Sequence, residues 1–200
     1  MQPRTVIGLV TLLAMSSTAT AENDAEFNAR KQAAAAVTKE FVTELGGALK
    51  TQLQSAGPAS AISVCRDIAP SIANRLSLQN GWKVTRVGTR VRNAMIGTPD
   101  IWEQEQLKRF EERAGKGEDY QQMSHAEIVS EPRGRFFRFM KPIPVAEVCL
   151  QCHGGEAQIA DDVKAALDTA YPHDQAVNYA LGDLRGAVSI KQPLDIALNR

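Results

Sequence analysis

The sequence predicts an α+β fold, with helices first and antiparallel strands later. Apolar residues recur at three- and four-residue steps as far as residue 78, which is typical of amphipathic helices. After the turn dipeptide Asn80-Gly81, short segments alternate in the manner of strands. The 200 residues are 44% hydrophobic and 23% charged, as expected for one folded domain.

The helical part of the pattern has one clear break. Residues 24–56 have helical apolar spacing, and Gly57-Pro58 ends this stretch, with Pro58 suited to the first turn of a new helix. Residues 59–78 continue the pattern, and Pro70 within them predicts a kink. Five apolar positions of this second helix share one face: Ala61, Cys65, Ile68, Ile72 and Leu76.

The remainder of the chain mixes strands with helices. The patterns predict strands at residues 82–87, 121–130, 134–141 and 185–191, and helices at residues 100–113 and 160–169. The second and third strands form a hairpin around the turn at residues 131–134. Phe137 and Phe139 take one face of the third strand while Phe136 and Met140 take the other, so we expect both faces to be buried.

The N-terminus has the features of a secretory signal peptide. A basic residue and a short apolar run precede Ala19-Thr20-Ala21, which has the form of a signal-peptidase site. The apolar run is shorter than the roughly 20 residues that span a bilayer. We therefore predict a signal peptide at residues 1–21, a single domain at residues 22–200 with no membrane span, and a periplasmic location.

Composition excludes some functions. Lys+Arg and Asp+Glu both number 23, so no overall charge favours nucleic acid as a partner. Three cysteines are too few for a disulfide scaffold.

Two of the cysteines stand in a C-x-x-C-H pentapeptide, residues 149–153, which is the pattern of c-type haem attachment. The thiols of Cys149 and Cys152 would add to the two haem vinyl groups, and His153 would be the proximal iron ligand. A redox-active disulfide oxidoreductase is the main alternative, but no parallel βαβ unit precedes Cys149. A zinc site would need four ligands, and the chain has no second paired motif.

The third cysteine, Cys65, is left without a partner in the sequence. An unpaired thiol in an oxidising compartment needs to be buried or ligated. The residue pattern leaves two interpretations open: a small buried apolar residue, or the second axial ligand opposite His153. Five other residues are weaker candidates for that position: Met95, Met123, Met140, His125 and His173.

Basic residues cluster in two segments, around residues 83–92 and 133–141. They form solvated faces or pair with haem propionates, since a guanidinium matches the geometry of a carboxylate. Within these segments we select Arg90 and Arg92 as the candidate propionate contacts.

Four blocks of the chain resemble a family of bacterial and cyanobacterial haem-c domains with a PAS-like fold. They are residues 61–65 with Ala69-Pro70, residues 90–93 followed by 99–103, residues 149–154, and residues 182–187 with Ser189. The resemblance implies one covalent haem c, ligated by the motif histidine and an upstream cysteine, which match His153 and Cys65. Asn178 departs from the pattern, because the family has a glycine there.

The resemblance and the motif together predict a low-potential periplasmic cytochrome that transfers electrons to or from a partner protein. A thiolate ligand lowers the reduction potential, whereas a methionine raises it. The alternative is a redox or gas sensor that signals through a separate partner after nitric oxide or carbon monoxide displaces Cys65. An enzyme would need an open iron position and a distal acid–base group, for which only His125 is uncommitted.

Overall fold

The structure, a computed structural model, describes the backbone of residues 14–198 and the side chains from residue 23. The predicted signal peptide, residues 1–21, lies outside the residues whose side chains are described, and it stays a prediction. None of the helices in the described part of the chain has the length and apolarity needed to cross a membrane.

The N-terminal helices follow the sequence pattern closely. Helix α1 spans Ala14–Ser63 and changes direction at Gly57, whose φ of 77° is left-handed. A π-helical turn, Val64–Ile68, joins α1 to α2, Ala69–Asn80. Pro70 lies in the first turn of α2, where its missing N–H costs no hydrogen bond. The sequence predicted a kink at Pro70 within one helix, whereas the structure has the π-helical turn just before it. Gly81, with φ of 70°, ends α2 in the left-handed conformation.

In the part of the chain that the structure describes, four strands form one antiparallel sheet with the order β1-β4-β3-β2. Their bounds are β1 Lys83–Gly88, β2 His125–Glu131, β3 Gly134–Pro144 and β4 Leu184–Pro193. The predicted hairpin is confirmed as β2 and β3, in which Ile128 pairs with Phe137. The antiparallel α+β architecture is therefore confirmed, while the PAS-like description still rests on the sequence resemblance.

Helices cover both faces of the sheet. On one face, α1 and α2 bury a cluster that includes Phe41, Leu76 and Phe137. On the other, α4, Ile101–Ala114, packs Leu107 and Phe110 against the sheet. This confirms the expectation that both faces of β3 are buried.

Residues 14–198 contain three further α-helices. Helix α6, Asp161–Ala170, agrees with its prediction. Two four-residue helices, α3 (Ala94–Gly97) and α5 (Leu150–His153), were not predicted, because one turn is too short to show a helical period. A 3₁₀ turn, Glu147–Cys149, leads directly into α5.

Candidate functional site

Antiparallel pairing brings three connecting segments to the same end of the sheet. Gly88 at the end of β1 lies opposite Gly186 near the start of β4, and Pro144 at the end of β3 pairs with Leu184. The segments that follow β1 and β3 and precede β4 therefore meet there. Backbone hydrogen bonds join them: Gln175 N–H donates to Val91 O at 3.0 Å, and Tyr179 N–H donates to His153 O at 2.9 Å.

The C-x-x-C-H motif forms a compact turn at this end. Cys149 caps α5, and the helix holds Cys152 and His153. The chain leaves the helix at Gly154, where a β-carbon would lie 2.6 Å from Leu150 O and 2.7 Å from Gln158 Oε1. Only glycine allows this close approach, so the residue after the motif keeps the turn tight.

The imidazole of His153 is held in one tautomer. Its Nδ1–H donates to Ala176 O at 2.6 Å, because a carbonyl can only accept, and Nε2 is left with its lone pair. Burial, together with the positive charges of Arg185 and Arg92, lowers the pKa of His153 to about 2. The ring is therefore neutral at pH 7, and Nε2 has the form that binds a metal.

The motif cysteines are free thiols that pack into two different clusters. Cys152 contacts the cluster of Ile62 and Leu167, whereas Cys149 packs with Val145 and Tyr179. Burial raises the pKa of the Cys152 thiol, an effect that the charge of Arg92 opposes. In the residues that the structure describes, the sheet is antiparallel and lacks the parallel βαβ unit in which redox-active C-x-x-C motifs occur, so the fold does not favour a disulfide oxidoreductase.

Cys65 lies on the same side of the molecule as the motif. It is close enough to Cys152 and Tyr171 for its charge to act on both. Its position is in the π-helical turn and is partly exposed, so it is not the fully buried apolar residue that one interpretation required. Within the described residues, no three His, Cys, Asp or Glu side chains form a cluster that could hold a metal ion.

The weaker candidates for an iron ligand lie elsewhere. Met123 and Met140 are fully buried in the cluster under α4, and Met95 is 91% exposed. His125 Nε2 contacts Glu127 at 3.2 Å on β2, and His173 is exposed. The fold therefore brings Cys65 near the motif and sets Met123, Met140 and His125 apart from it.

Arg92 connects the motif to the segment before β4. Its Nε donates to Asp174 Oδ2 at 2.8 Å, and its Nη2 donates to Cys152 O and Ala176 O. The side chains of Arg92 and Asp174 are only 8% and 11% exposed, so this is a buried ion pair.

Arg90 is more exposed than Arg92, and its contacts are neutral. Its Nη1 donates to Val177 O at 2.6 Å and Asn178 O at 2.7 Å, and the guanidinium lies 4.5 Å from the centre of the Tyr179 ring. Both arginines selected from the sequence lie at the site, and their contact with propionates stays a prediction.

Two central residues of the site, Tyr179 and Arg185, were not among those selected from the sequence. The Tyr179 ring is buried edge-on to His153 with ring centres 6.2 Å apart, and its hydroxyl accepts from Arg90 N–H at 2.9 Å. Arg185 Nε lies 3.5 Å from His153 Nε2. Burial lowers the pKa of Arg185, with Arg86 and Arg92 adding to the effect. Arg185 lies inside the fourth block of the family resemblance, residues 182–187, and this was the feature of the sequence that could have identified it as a site residue.

Asn178 explains why a glycine was expected at its position. Its φ of 61° is left-handed, a conformation that glycine adopts freely and asparagine tolerates better than most residues. Asn178 N–H also donates to Gly154 O at 2.9 Å, which fixes the loop against the motif. The departure from the family pattern therefore preserves the backbone.

The fold and site define a class of α+β domain in which a C-x-x-C-H turn, a further cysteine and an arginine cluster meet at one end of an antiparallel sheet. The chain belongs to the Tll0287-like family, whose model matches residues 14–193. The crystal structure of the cyanobacterial haem protein Tll0287 has a similar fold, with a TM-score of 0.63 at 20% identity, covering 84% of this chain and 96% of that one. These matches confirm the family resemblance. No curated protein matches the sequence.

Proposed function

We propose that this protein is a periplasmic c-type cytochrome that transfers electrons at low potential. Its single haem would be attached through Cys149 and Cys152 and ligated by His153 and Cys65. The haem supplies one-electron exchange at its iron. The observation that supports the proposal most directly is the hydrogen bond from His153 Nδ1–H to Ala176 O.

This hydrogen bond prepares His153 for iron. Histidines that bind metals commonly donate their other ring N–H to a carbonyl or carboxylate, which fixes the ring orientation and increases the basicity of the ligand nitrogen. Here Ala176 O performs that role, so Nε2 is unprotonated and its lone pair can bind a metal ion in place of the Arg185 contact. The tight turn at Gly154 fixes the chain directly after the five-residue segment that carries the imidazole and the two thiols.

The three cysteines fit the same proposal. Cys149 and Cys152 are unpaired and partly accessible, as two thiols must be before they form thioethers. Cys65 approaches from the α1–α2 junction, within electrostatic reach of Cys152. Thiolate ligation would stabilise the oxidised iron and lower the reduction potential. The Tll0287 structure, which is that of a haem protein, supports haem as the cofactor.

The attachment can be tested by export alongside the machinery that matures c-type cytochromes. We expect the wild-type protein to keep its haem through denaturing electrophoresis and acid–acetone extraction, with a low-spin spectrum. A Cys149→Ala, Cys152→Ala double variant should lose all covalent haem. Cys65→Ser is the matched control, because it removes a thiol that takes no part in attachment.

Two outcomes would contradict the proposal. One is a colourless wild-type protein when a reference cytochrome matures in the same cells, which would favour disulfide chemistry at Cys149 and Cys152. The other is covalent haem that persists in the double variant, which would place the attachment at other residues.

A further inference from the structure

The candidate site contains more positive charge than it neutralises. The charges of Arg185, Arg92 and Arg86 all act on His153. Among the described residues, Arg92 pairs with Asp174, whereas neither Arg86 nor Arg185 has an ion-pair partner. Positive charges gathered without partners in a partly buried site are unfavourable, so the site is suited to an anion.

An irregularity near the start of strand β4 places Arg185 at the candidate site. In a regular strand, residues three positions apart lie on opposite faces. Leu184 and Ala187 nevertheless pack in the same cluster under α4, so the alternation of faces shifts near Gly186. Gly186 has φ of 154°, and β3 shows a register shift opposite, between Ile143 and Pro144. Arg185 therefore points away from α4, toward His153.

Among the described residues, the hydrogen bonds and the ring contact of the Arg185 guanidinium are to neutral groups, although the charge of Asp174 acts on it from a distance. Its Nη1 donates to Arg90 O at 3.1 Å, and the group lies 5.4 Å from the centre of the Tyr179 ring. Its Nε contacts His153 Nε2 at 3.5 Å, which is the nitrogen assigned to iron. A guanidinium and a metal ion cannot occupy that position together, so Arg185 must move when the site is filled.

We propose that Arg185, supported by the charge of Arg86, binds a carboxylate of the haem when the guanidinium leaves His153. This inference rests on the proposed function. The guanidinium matches a carboxylate in geometry and charge, and the new ion pair would replace a weak contact with a neutral ring. Arg92 is less suited because Asp174 neutralises its charge, and Asp174 and two carbonyl oxygens already take three of its five N–H groups.

The inference assigns the two selected arginines different roles. Arg92 ties α5 to the segment before β4, and Arg90 anchors the loop at Val177 and Asn178. Both act as positioning residues that hold the motif in place. Arg185 is the residue whose present contact is incompatible with the filled site.

The full chain, produced without covalent attachment and checked for folding by circular dichroism, can be titrated with two ligands. One is free haem, and the other is haem with both propionates esterified. We expect wild-type protein to bind free haem at least about tenfold more tightly, as one charge-assisted ion pair allows. Arg185→Gln should reduce this ratio to about twofold or less, and Arg185→Lys should retain part of it.

The ratio of the two affinities separates carboxylate binding from general damage, because a merely structural role would weaken both ligands alike. Arg135→Gln, an exposed arginine on the hairpin, is the control and should leave the ratio unchanged. Should Arg185→Gln fail to fold, Arg86→Gln is the second variant and should also lower the ratio.

The outcomes distinguish this inference from the proposed function. If wild-type protein binds both ligands equally, or the folded arginine variants keep the wild-type ratio, haem binding stands and the carboxylate assignment is wrong. If wild-type protein binds neither ligand, the inference fails, while the attachment experiment described above decides the proposed function separately.

Discussion

Cys65 lies in the π-helical turn between helices α1 and α2. Regular helical spacing placed it on the apolar face with Ile72 and Leu76. In the structure, Ala69 N–H donates to Val64 O, five residues back, which widens the helix around Cys65. Such π-helical turns are common at functional sites because they re-aim a side chain. Cys65 is accordingly partly exposed and directed to the side of Cys152.

At the scale of the residue, we predict that Cys65 controls access to the iron. The reduced wild-type protein should not bind carbon monoxide, because the proposed ligands His153 and Cys65 would occupy both axial positions. Cys65→Ala should lose the low-spin thiolate spectrum, bind carbon monoxide rapidly and have a higher midpoint potential. Optical titration and potentiometry measure these properties, with Ser63→Ala as the neighbouring control.

Two results would revise this prediction. An unchanged low-spin spectrum in Cys65→Ala would make Cys65 a packing residue. Rapid carbon monoxide binding by the wild-type protein would favour gas sensing over electron transfer, because the sixth ligand would then be displaceable.

Helix α4 begins at a capping box that is formed by two residues close together in the sequence. Asp100 accepts from Glu103 N–H at 2.8 Å, and the Glu103 side chain accepts from Asp100 N–H at 2.8 Å, which forms a capping box. Arg138 on β3 pairs with Asp100 at 2.8 Å and with Glu103 at 3.2 Å. The cap therefore also attaches α4 to the sheet.

At the scale of the element, we predict that Asp100→Ala lowers the free energy of unfolding by about 1–2 kcal/mol at pH 7 through loss of the cap. Burial raises the pKa of the Asp100 carboxyl, but the Glu103 N–H and Arg138 lower it more, so the net pKa lies below its ordinary value. The stabilisation is therefore present above the unfolded-state pKa and is lost as pH falls through the folded-state pKa.

Urea unfolding at several pH values, followed by tryptophan fluorescence, tests this prediction. The difference between wild type and Asp100→Ala should shrink as pH falls below about 4, near the ordinary aspartate pKa. Asp161→Ala, whose side chain is 99% exposed in the first turn of α6, should change stability little at any pH. A difference independent of pH would mean that the carboxylate charge does not contribute.

At the scale of the whole molecule, Arg30 connects helix α1 to the end of the chain. Its side chain is 3% exposed and pairs with Glu26 at 2.8 Å. It also donates to Gln192 Oε1 at 3.4 Å and to the carbonyl oxygens of Leu194 and Ile196, both at 3.2 Å. One buried guanidinium therefore donates hydrogen bonds to acceptors more than 160 residues away in the sequence.

We predict that Arg30→Ala destabilises the protein by about 2–4 kcal/mol, because buried acceptors lose their donor. A urea unfolding curve should show a lower midpoint with a single transition. Lys31→Ala, at the exposed neighbouring position, should leave the midpoint nearly unchanged. If both variants lowered the urea midpoint equally, the cause would be the change in local helix propensity and not the loss of the Arg30 hydrogen bonds.

The sequence itself determined most of the local structure. The apolar period separated helices from strands, Gly57-Pro58 and Asn80-Gly81 marked their ends, and Asp100 with Glu103 began α4. These features depend on neighbouring residues, so their physical causes are visible along the chain. The C-x-x-C-H spacing is local in the same sense, which is why the motif was recognisable.

The tertiary structure alone decided which groups face His153. Ala176 O, Tyr179 and Arg185 reach it because antiparallel pairing brings the ends of β1, β3 and β4 together, and no local pattern specifies that meeting. Cys65 was assigned through family resemblance, while its exposure came from the π-helical turn. The motif is a run of five consecutive residues, so the sequence alone reveals it. The groups that contact His153 come from distant parts of the chain, and hydrogen bonds and charges act through space, so only the folded structure shows which groups they are.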